Sequence, residues 1–393
     1  MSDQAESLPQ PQAWRAVAAL NAVSALAQIG QYGIAFVLYP LALQARGLPA
    51  WQIGAVSSAI WVGMLLGLVT APRLVARFGY GATVATGLDL SSLALLMTPA
   101  LPITAWALAA AICGVGLGWR WIGNETWLYG IVASASRGRV VGLHEALISI
   151  AAVAGPALIA LLGVAGHAAF AAAAFFSAVA AAPLWWARGS RLPLPARRPR
   201  RPWTAVRLRS TSRAFLSLGA VMAGVGGLIE GALLGLFPVY AAERGLDTAQ
   251  TAWLLSIFGL GAMLLQLPLG WMADAYGLRR SAWLAALTVA ACALILSVGR
   301  PGDVAFAVLM LLLGGALAGF LTLGLIAAAK TTDTAQLADE VSRVSIAFTG
   351  LSVLGPLLAG ALASAAGGRS LMVFVCVAAL VLSGLIGKLA APR

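Results

Sequence analysis

The chain has 393 residues, 61% of them hydrophobic and only 10% charged, with a formal net charge of +12. Soluble domains carry roughly 25% charged residues, so a water-soluble globular protein is excluded and the bilayer is the expected solvent. The basic surplus does not point to nucleic acid, because the charges fall between apolar stretches and mostly on one side, as membrane insertion requires.

Met1 to Pro11 is polar and carries Asp3 and Glu6, unlike a cleaved leader. Twelve spans follow, predicted at 16–40, 51–73, 82–101, 103–128, 140–163, 166–187, 214–240, 250–273, 281–299, 303–329, 341–365 and 370–390. Their interiors are rich in Ala, Leu and Gly rather than alternating, which favours helices over barrel strands. Between the sixth and seventh spans, Arg188 to Arg213 holds nine arginines and four prolines and cannot cross a membrane. The expected fold class is an all-α membrane protein. Residues 1–187 form an N-terminal six-helix bundle, 188–213 a basic cytoplasmic linker and 214–393 a C-terminal six-helix bundle. The linker reads as a tether; clustered arginine near an inner leaflet also attracts anionic lipid heads, by about 1 kcal/mol per charge.

Lys and Arg set the orientation. With the N-terminus inside, the inner side holds Arg15, Arg73, Arg77, Arg137, Arg139, the linker arginines, Arg279, Arg280, Lys330, Arg343, Lys388 and Arg393. The outer side holds only Arg46, Arg244, Arg300 and Arg369. Both termini are therefore expected inside, in a bacterial inner membrane, and a monomer is expected. Cys113, Cys292 and Cys376 lie in apolar segments and read as small core residues. Tryptophans at 51, 61, 106, 127, 185, 186 and 271 lie near span ends and read mostly as interface anchors.

The sequence repeats itself. At an offset of 198, Arg46-Gly47-Leu48 meets Arg244-Gly245-Leu246, Ser58 meets Ser256, Gly63 meets Gly261, Leu66 meets Leu264 and Gly79 meets Gly277. At 200, Gly155-Pro156 meets Gly355-Pro356. Duplicated halves in a membrane chain suggest a transporter built around a central path.

Gly270-Trp271-Met272-Ala273-Asp274-Ala275-Tyr276-Gly277-Leu278-Arg279-Arg280 closes the eighth span. It resembles the G-x-x-x-D-x-x-G-[RK]-[RK] loop signature of the major facilitator superfamily (MFS). Gly270 would let helices approach closely, Asp274 would cap or bridge a neighbouring helix end, Gly277 would permit a tight turn, and Arg279 and Arg280 would sit at the inner surface. The first-half copy keeps Arg73, Arg77 and Gly79 but has Ala76 in the Asp274 place. Asn124-Glu125-Thr126-Trp127-Leu128 followed by Arg137-Gly138-Arg139 is similar to the same region of the YcaD-like bacterial subgroup. The paired Gly-Pro resembles the fifth-span motif of proton-coupled exporters, with different glycine spacing around it.

The resemblance implies that spans one, four, seven and ten line a central cavity. Asn21, Ser24, Gln28 and Gln31, spaced 3, 4 and 3, share one face of span one, which must meet protein or water. They read as cavity lining or as buried hydrogen-bonding glue between helices, with Tyr32 beside them. Span four carries Arg120, Asn124 and Glu125. Arg120 either snorkels to the inner surface, with Glu125 tied to Arg137 or Arg139, or faces the cavity and holds an anionic group. Glu230, near the middle of span seven between Gly226-Gly227 and Gly231, is the candidate for proton coupling, alone or by exchanging partners with Arg120. Asp89 in span three is expected to form a structural pair, an arginine being one candidate partner. His144 and Glu145 read as a solvated helix start or part of an inner gate. Span ten offers Thr322 and glycines 314, 315, 319 and 324, which suggest close packing and flexibility.

The expected function is secondary active transport of a small molecule by alternating access, with proton-coupled export first. Uptake or exchange of a small organic anion is second, and a non-transporting sensor of the same fold third. No P-loop, nucleophile cluster or metal-ligand pattern is present in the sequence, so no enzyme, cofactor or metal is expected.

Overall fold

The computed structural model describes residues 10–132, 134–188, 218–329 and 334–389. Twelve described helices are long and apolar enough to cross a membrane: α1 (Trp14–Ala45), α2 (Ala50–Phe78), α3 (Tyr80–Ala100), α4 (Ile103–Ile131), α5 (Arg139–Leu162), α6 (Ala168–Ala187), α7 (Leu218–Glu243), α8 (Thr248–Tyr276), α9 (Leu278–Val298), α10 (Asp303–Ala328), α11 (Arg343–Ala366) and α12 (Ser370–Lys388). Each falls on an expected span. The inner ends of α2 and α8 run several residues past the expected ends at 73 and 273, because a helix continues to satisfy its own backbone beyond the apolar slab. The basic linker, apart from Arg188, and residues 214–217 lie outside the described residues.

The repeat is visible in the backbone. Pro40 and Pro238, 198 apart, lie inside α1 and α7, and Pro156 and Pro356 lie inside α5 and α11. Gly79 and Gly277 turn the chain between helices at φ 87° and 89°, and Gly47 and Gly245 do so at 73° and 80°. These angles are costly for any residue with a Cβ. Asp247 starts α8 with a capping box, accepting from the Gln250 backbone N–H while the Gln250 side chain accepts from Asp247 N.

The packing divides into two compact units. One holds residues 10–35, Val62–Gly155, and the chain from Gly166 through α6. Its apolar core joins Val17, Leu20, Val84, Leu88, Trp127, Leu128, Val140 and Leu184, drawn from α1, α3, α4, α5 and α6. The other holds Phe36–Trp61, Pro156–Ala165 and α7–α12. In it, Ala223, Ala328 and Val344 knit α7, α10 and α11 together.

Within this second unit the outer part of α2 packs tightly on α11. A Cβ on Gly54 would strike the Pro356 carbonyl, and one on Gly360 would meet Ala50, Gly54 and Trp51. Ser58 Oγ donates to Val353 O at 2.8 Å, and Trp51 N–H donates to Ser364 Oγ at 3.0 Å. Trp61 stands edge-on to Phe36 and to Phe348.

Trp51, Trp185, Trp186 and Trp271 are exposed, as anchors at a membrane interface would be. Trp61, Trp106 and Trp127 are not: all three are buried, and they fill the core with their large apolar rings. The glycines of α10 serve close packing. Gly314 abuts the Phe258 backbone, Gly315 the Leu265 side chain and Gly324 the Gly219 carbonyl. The three cysteines are free and buried.

Candidate functional site: a buried polar network around Arg120

The polar stripe of α1 does meet a partner, and the partner is α4. Arg120 is 1% exposed. Its Nε donates to Gln31 Oε1 at 2.9 Å and its Nη2 to Gln28 Oε1 at 2.7 Å. The Trp121 ring lies 5.6 Å from the guanidinium carbon. Gln31 Nε2 donates onward to Ser91 Oγ on α3 at 2.9 Å, and Ser91 Oγ to Cys113 O at 2.9 Å. One turn nearer the inner end, Asn124 Nδ2 donates to Ser24 Oγ at 2.8 Å and Leu20 O at 3.0 Å. Arg120 therefore does not snorkel. Two neutral amides, rather than a carboxylate, hold its charge.

The local backbone makes this grip possible. Ile29–Ile34 of α1 is a π-helical turn. Such turns widen a helix and often mark functional positions; here the wider turn presents Gln28 and Gln31 to one guanidinium. Gly30 in the same turn has no room for a Cβ because Ala173 O and Ser177 of α6 press against it, and Gly33 meets Ala151 and Gly155 of α5. The 3-4-3 spacing reveals the shared face, whereas the π turn leaves no local sequence mark.

Further toward the inner side, Asn21 Nδ2 donates to Val17 O at 2.8 Å, and Asn21 Oδ1 stands 3.0 Å from His144 Nδ1 on α5. His144 Nε2 lies 3.8 Å from Glu125 Oε1. His144 is 1% exposed, so the expected solvated helix start is corrected: α1 and α4 close over it. The histidine is the group that Glu125 faces; the side chain of Arg137, one of its expected loop partners, lies outside the described residues, and Arg139 is exposed.

Asn21, Ser24, Gln28, Gln31, Arg120 and Asn124 are thus all buried, in three successive hydrogen-bonded groups along α1, and Tyr32 is half-buried. Glu230 belongs to the other unit and is half-buried on α7, where Gly227 and Gly231 on either side press against Phe348 O and Ser352 O of α11. Asp89 is a correction. It shares the exposed face of α3 with Ala82, Thr86 and Leu93 and has no ion pair among the described residues. In the loop after α8, Gly277 makes the expected turn. Gly270 has open space where a Cβ would stand, so close helix approach does not explain it. Asp274 and Arg280 are exposed, and Arg279 Nη2 reaches Gly387 O at 3.4 Å. No group of three or more His, Cys, Asp or Glu able to hold a metal occurs among the described residues.

The sequence profile of the Major Facilitator Superfamily matches residues 20–247 and, a second time, residues 219–392. The chain belongs to the Major Facilitator Superfamily. The double match is the internal repeat seen from outside: one profile fits each half. Among relatives of this MFS protein, an uncharacterized MFS-type transporter of Enterobacter sp. (strain 638) is 26% identical over 325 residues, 81% of each chain. The uncharacterized MFS-type transporter YcaD of Salmonella newport (strain SL254) is 25% identical over 336 residues, 83% of each chain. The fold matches a mutant form of the nucleoside transporter NupG with TM-score 0.81 at 14% identity, covering 96% of this chain and 100% of that one. A bacterial homologue of the human lysosomal transporter Spinster, in an inward-facing and occupied conformation, matches at TM-score 0.77 and 13% identity, covering 97% of each. The protein is a multi-pass MFS membrane transporter, not an enzyme.

Proposed function

We propose that this MFS protein exports a small, weakly polar or amphipathic molecule from a bacterium across the inner membrane, in exchange for protons, by rocking its two six-helix halves about a central path. The observation that carries the reading is Glu230, the acidic residue in the middle of α7, held among glycines and far from the helix's other acid, Glu243 at its end. A carboxylate at that depth is costly unless it protonates, pairs or meets water, and reversible protonation is the use that a transport cycle makes of it. The amide-rich face of α1 and Asn124, enclosed in this structure, would offer mostly neutral hydrogen-bonding groups to a solute that reaches them during the cycle.

The test uses proteoliposomes of the purified protein with a pH-sensitive dye inside and a panel of amphipathic and weakly basic compounds outside. A compound-dependent proton flux in the wild type, lost in Glu230→Gln while compound-for-compound exchange persists, supports the reading. Undiminished proton flux in Glu230→Gln refutes it.

Arg120 favours a second reading, uptake or exchange of a small organic anion. Its buried charge is met by the oxygens of Gln28 and Gln31, neither of which is ionised. An anionic solute reaching that guanidinium would replace dipoles with a charge. Countertransport of small carboxylates without proton movement distinguishes this reading from the first.

A further inference from the structure

The hydrogen bonds around His144 fix where its protons can be. The Val17 carbonyl can only accept, so the Asn21 side-chain atom 2.8 Å from it is the amide nitrogen. The Asn21 oxygen then faces His144 Nδ1 at 3.0 Å, and because that oxygen can only accept, Nδ1 carries a proton. A neutral imidazole with its proton on Nδ1 has a bare lone pair on Nε2. That nitrogen is buried, has no hydrogen-bond partner, and lies 3.8 Å from Glu125 Oε1. With no further proton, two acceptors would confront each other in an enclosed place. One more proton, on either Nε2 or the carboxyl, turns that contact into an attraction.

We propose that His144 and Glu125 form a proton-binding site at the inner ends of α1, α4 and α5, whose single exchangeable proton joins α4 to α5. Its surroundings suit the role. From α4, the Tyr129 ring stands edge-on to the imidazole with centroids 5.9 Å apart, and Arg120 lies five residues from Glu125. From α5, Glu145 is exposed and within electrostatic reach of both Glu125 and His144. From α1, the group facing the ring is the neutral Asn21, while Arg15 lines a separate groove with Pro183 and Trp186. Glu125 is 21% exposed and gives the proton its way in and out. The loaded site holds three helices in one arrangement. The unloaded site repels across the α4–α5 contact, which biases those inner ends toward separating. The site stands on the hydrogen bonds that fix Asn21 and His144 Nδ1 and on the 3.8 Å approach of Glu125, and does not depend on Glu230.

The chain has two histidines, at 144 and 167, so His167→Gln leaves a single imidazole to observe. In ¹⁵N-histidine-labelled protein in lipid nanodiscs, the neutral His144 ring carries its proton on Nδ1, with Nε2 the nitrogen that faces the exchangeable proton. Glu125→Gln removes one of the two groups that share the proton, so the ring's response to pH changes, and Glu125→Asp restores part of the wild-type response. A neutral ring protonated on Nε2 overturns the proposal, as does a titration that Glu125→Gln leaves unchanged. If Glu125→Gln does not fold, the tautomer of the otherwise wild-type protein decides. Because the readout needs no transported solute, failure of the export reading leaves this result standing, and the reverse.

Discussion

Gly33 of α1 and Gly155 of α5 meet backbone to backbone. The Gly155 Cα lies 3.2 Å from where a Gly33 Cβ would stand, and a side chain at Gly155 would strike the Gly33 carbonyl group. The second half repeats the crossing with different chemistry: a Cβ on Gly355 of α11 would strike the Leu228 carbonyl of α7. The Gly-Pro pairs 200 residues apart thus mark equivalent crossings. Each glycine lets two helices touch, and each following proline interrupts the helical hydrogen bonding just beyond the contact.

Gly155→Leu should therefore force α1 from α5 and destabilise the protein by about 1–3 kcal/mol or more, as overpacking does. Gly142→Leu on the same helix, where a Cβ would meet nothing within 4 Å, serves as control. Thermal unfolding in detergent measures both. Equal midpoints for the two variants would mean that the crossing is not tight.

The outer part of α2 should behave as a closed seam against α11. Gly54→Val places a side chain against the Pro356 carbonyl. Ser57 is buried beside this seam, and its hydroxyl has no hydrogen-bond partner. In a background with the three native cysteines replaced, Ser57→Cys should resist an impermeant maleimide added outside. With Gly54→Val added, labelling should accelerate by roughly tenfold, the effect of a ~1.4 kcal/mol shift toward an opened seam. Unchanged labelling counts against a seam that closes there.

Arg120 makes a sharp distinction between charge and shape. Lysine keeps the charge but cannot span Gln28 and Gln31 with a planar fork. Arg120→Lys and Gln28→Leu should each lose a hydrogen bond to a charged group, about 1.5–3 kcal/mol. The double variant should lose less than the sum, because the two changes break the same contact. Full additivity in a stability cycle would show that the bond contributes nothing.

The twelve helices were legible because lipid leaves few ways to satisfy a backbone, and the repeat because the same crossings recur. Gly63 and Gly261 press on the carbonyls of Ala111 and Leu311 in their respective halves. The α1 stripe was legible because four polar residues at helical spacing cannot all face lipid. Its completion was not. His144 finds Asn21 across 123 positions, and nothing beside His144 in the chain distinguishes it from a solvated helix start. Trp61, Trp106 and Trp127 misled because position near a span end does not reveal which face of the helix is covered. Asp89 misled in the opposite sense: an acid in a span suggests a buried partner, yet its helical face is exposed.

The loop after α8 offers a test within one motif. Gly277 sits at φ 89° and ψ 146°, so Gly277→Ala adds a Cβ in a region open almost only to glycine, at a cost of about 1–3 kcal/mol. Gly79→Ala, at φ 87° in the other half, should cost the same. Gly270 lies inside α8 with open space around its missing Cβ, so Gly270→Ala removes backbone freedom without a clash and should stabilise the helix by up to about 1 kcal/mol. Unfolding midpoints should therefore fall for Gly79→Ala and Gly277→Ala and hold or rise for Gly270→Ala. Should Gly270→Ala keep its midpoint and still abolish transport, Gly270 would be needed for close contact in another conformation of the cycle, and the open space seen here would belong to only one state.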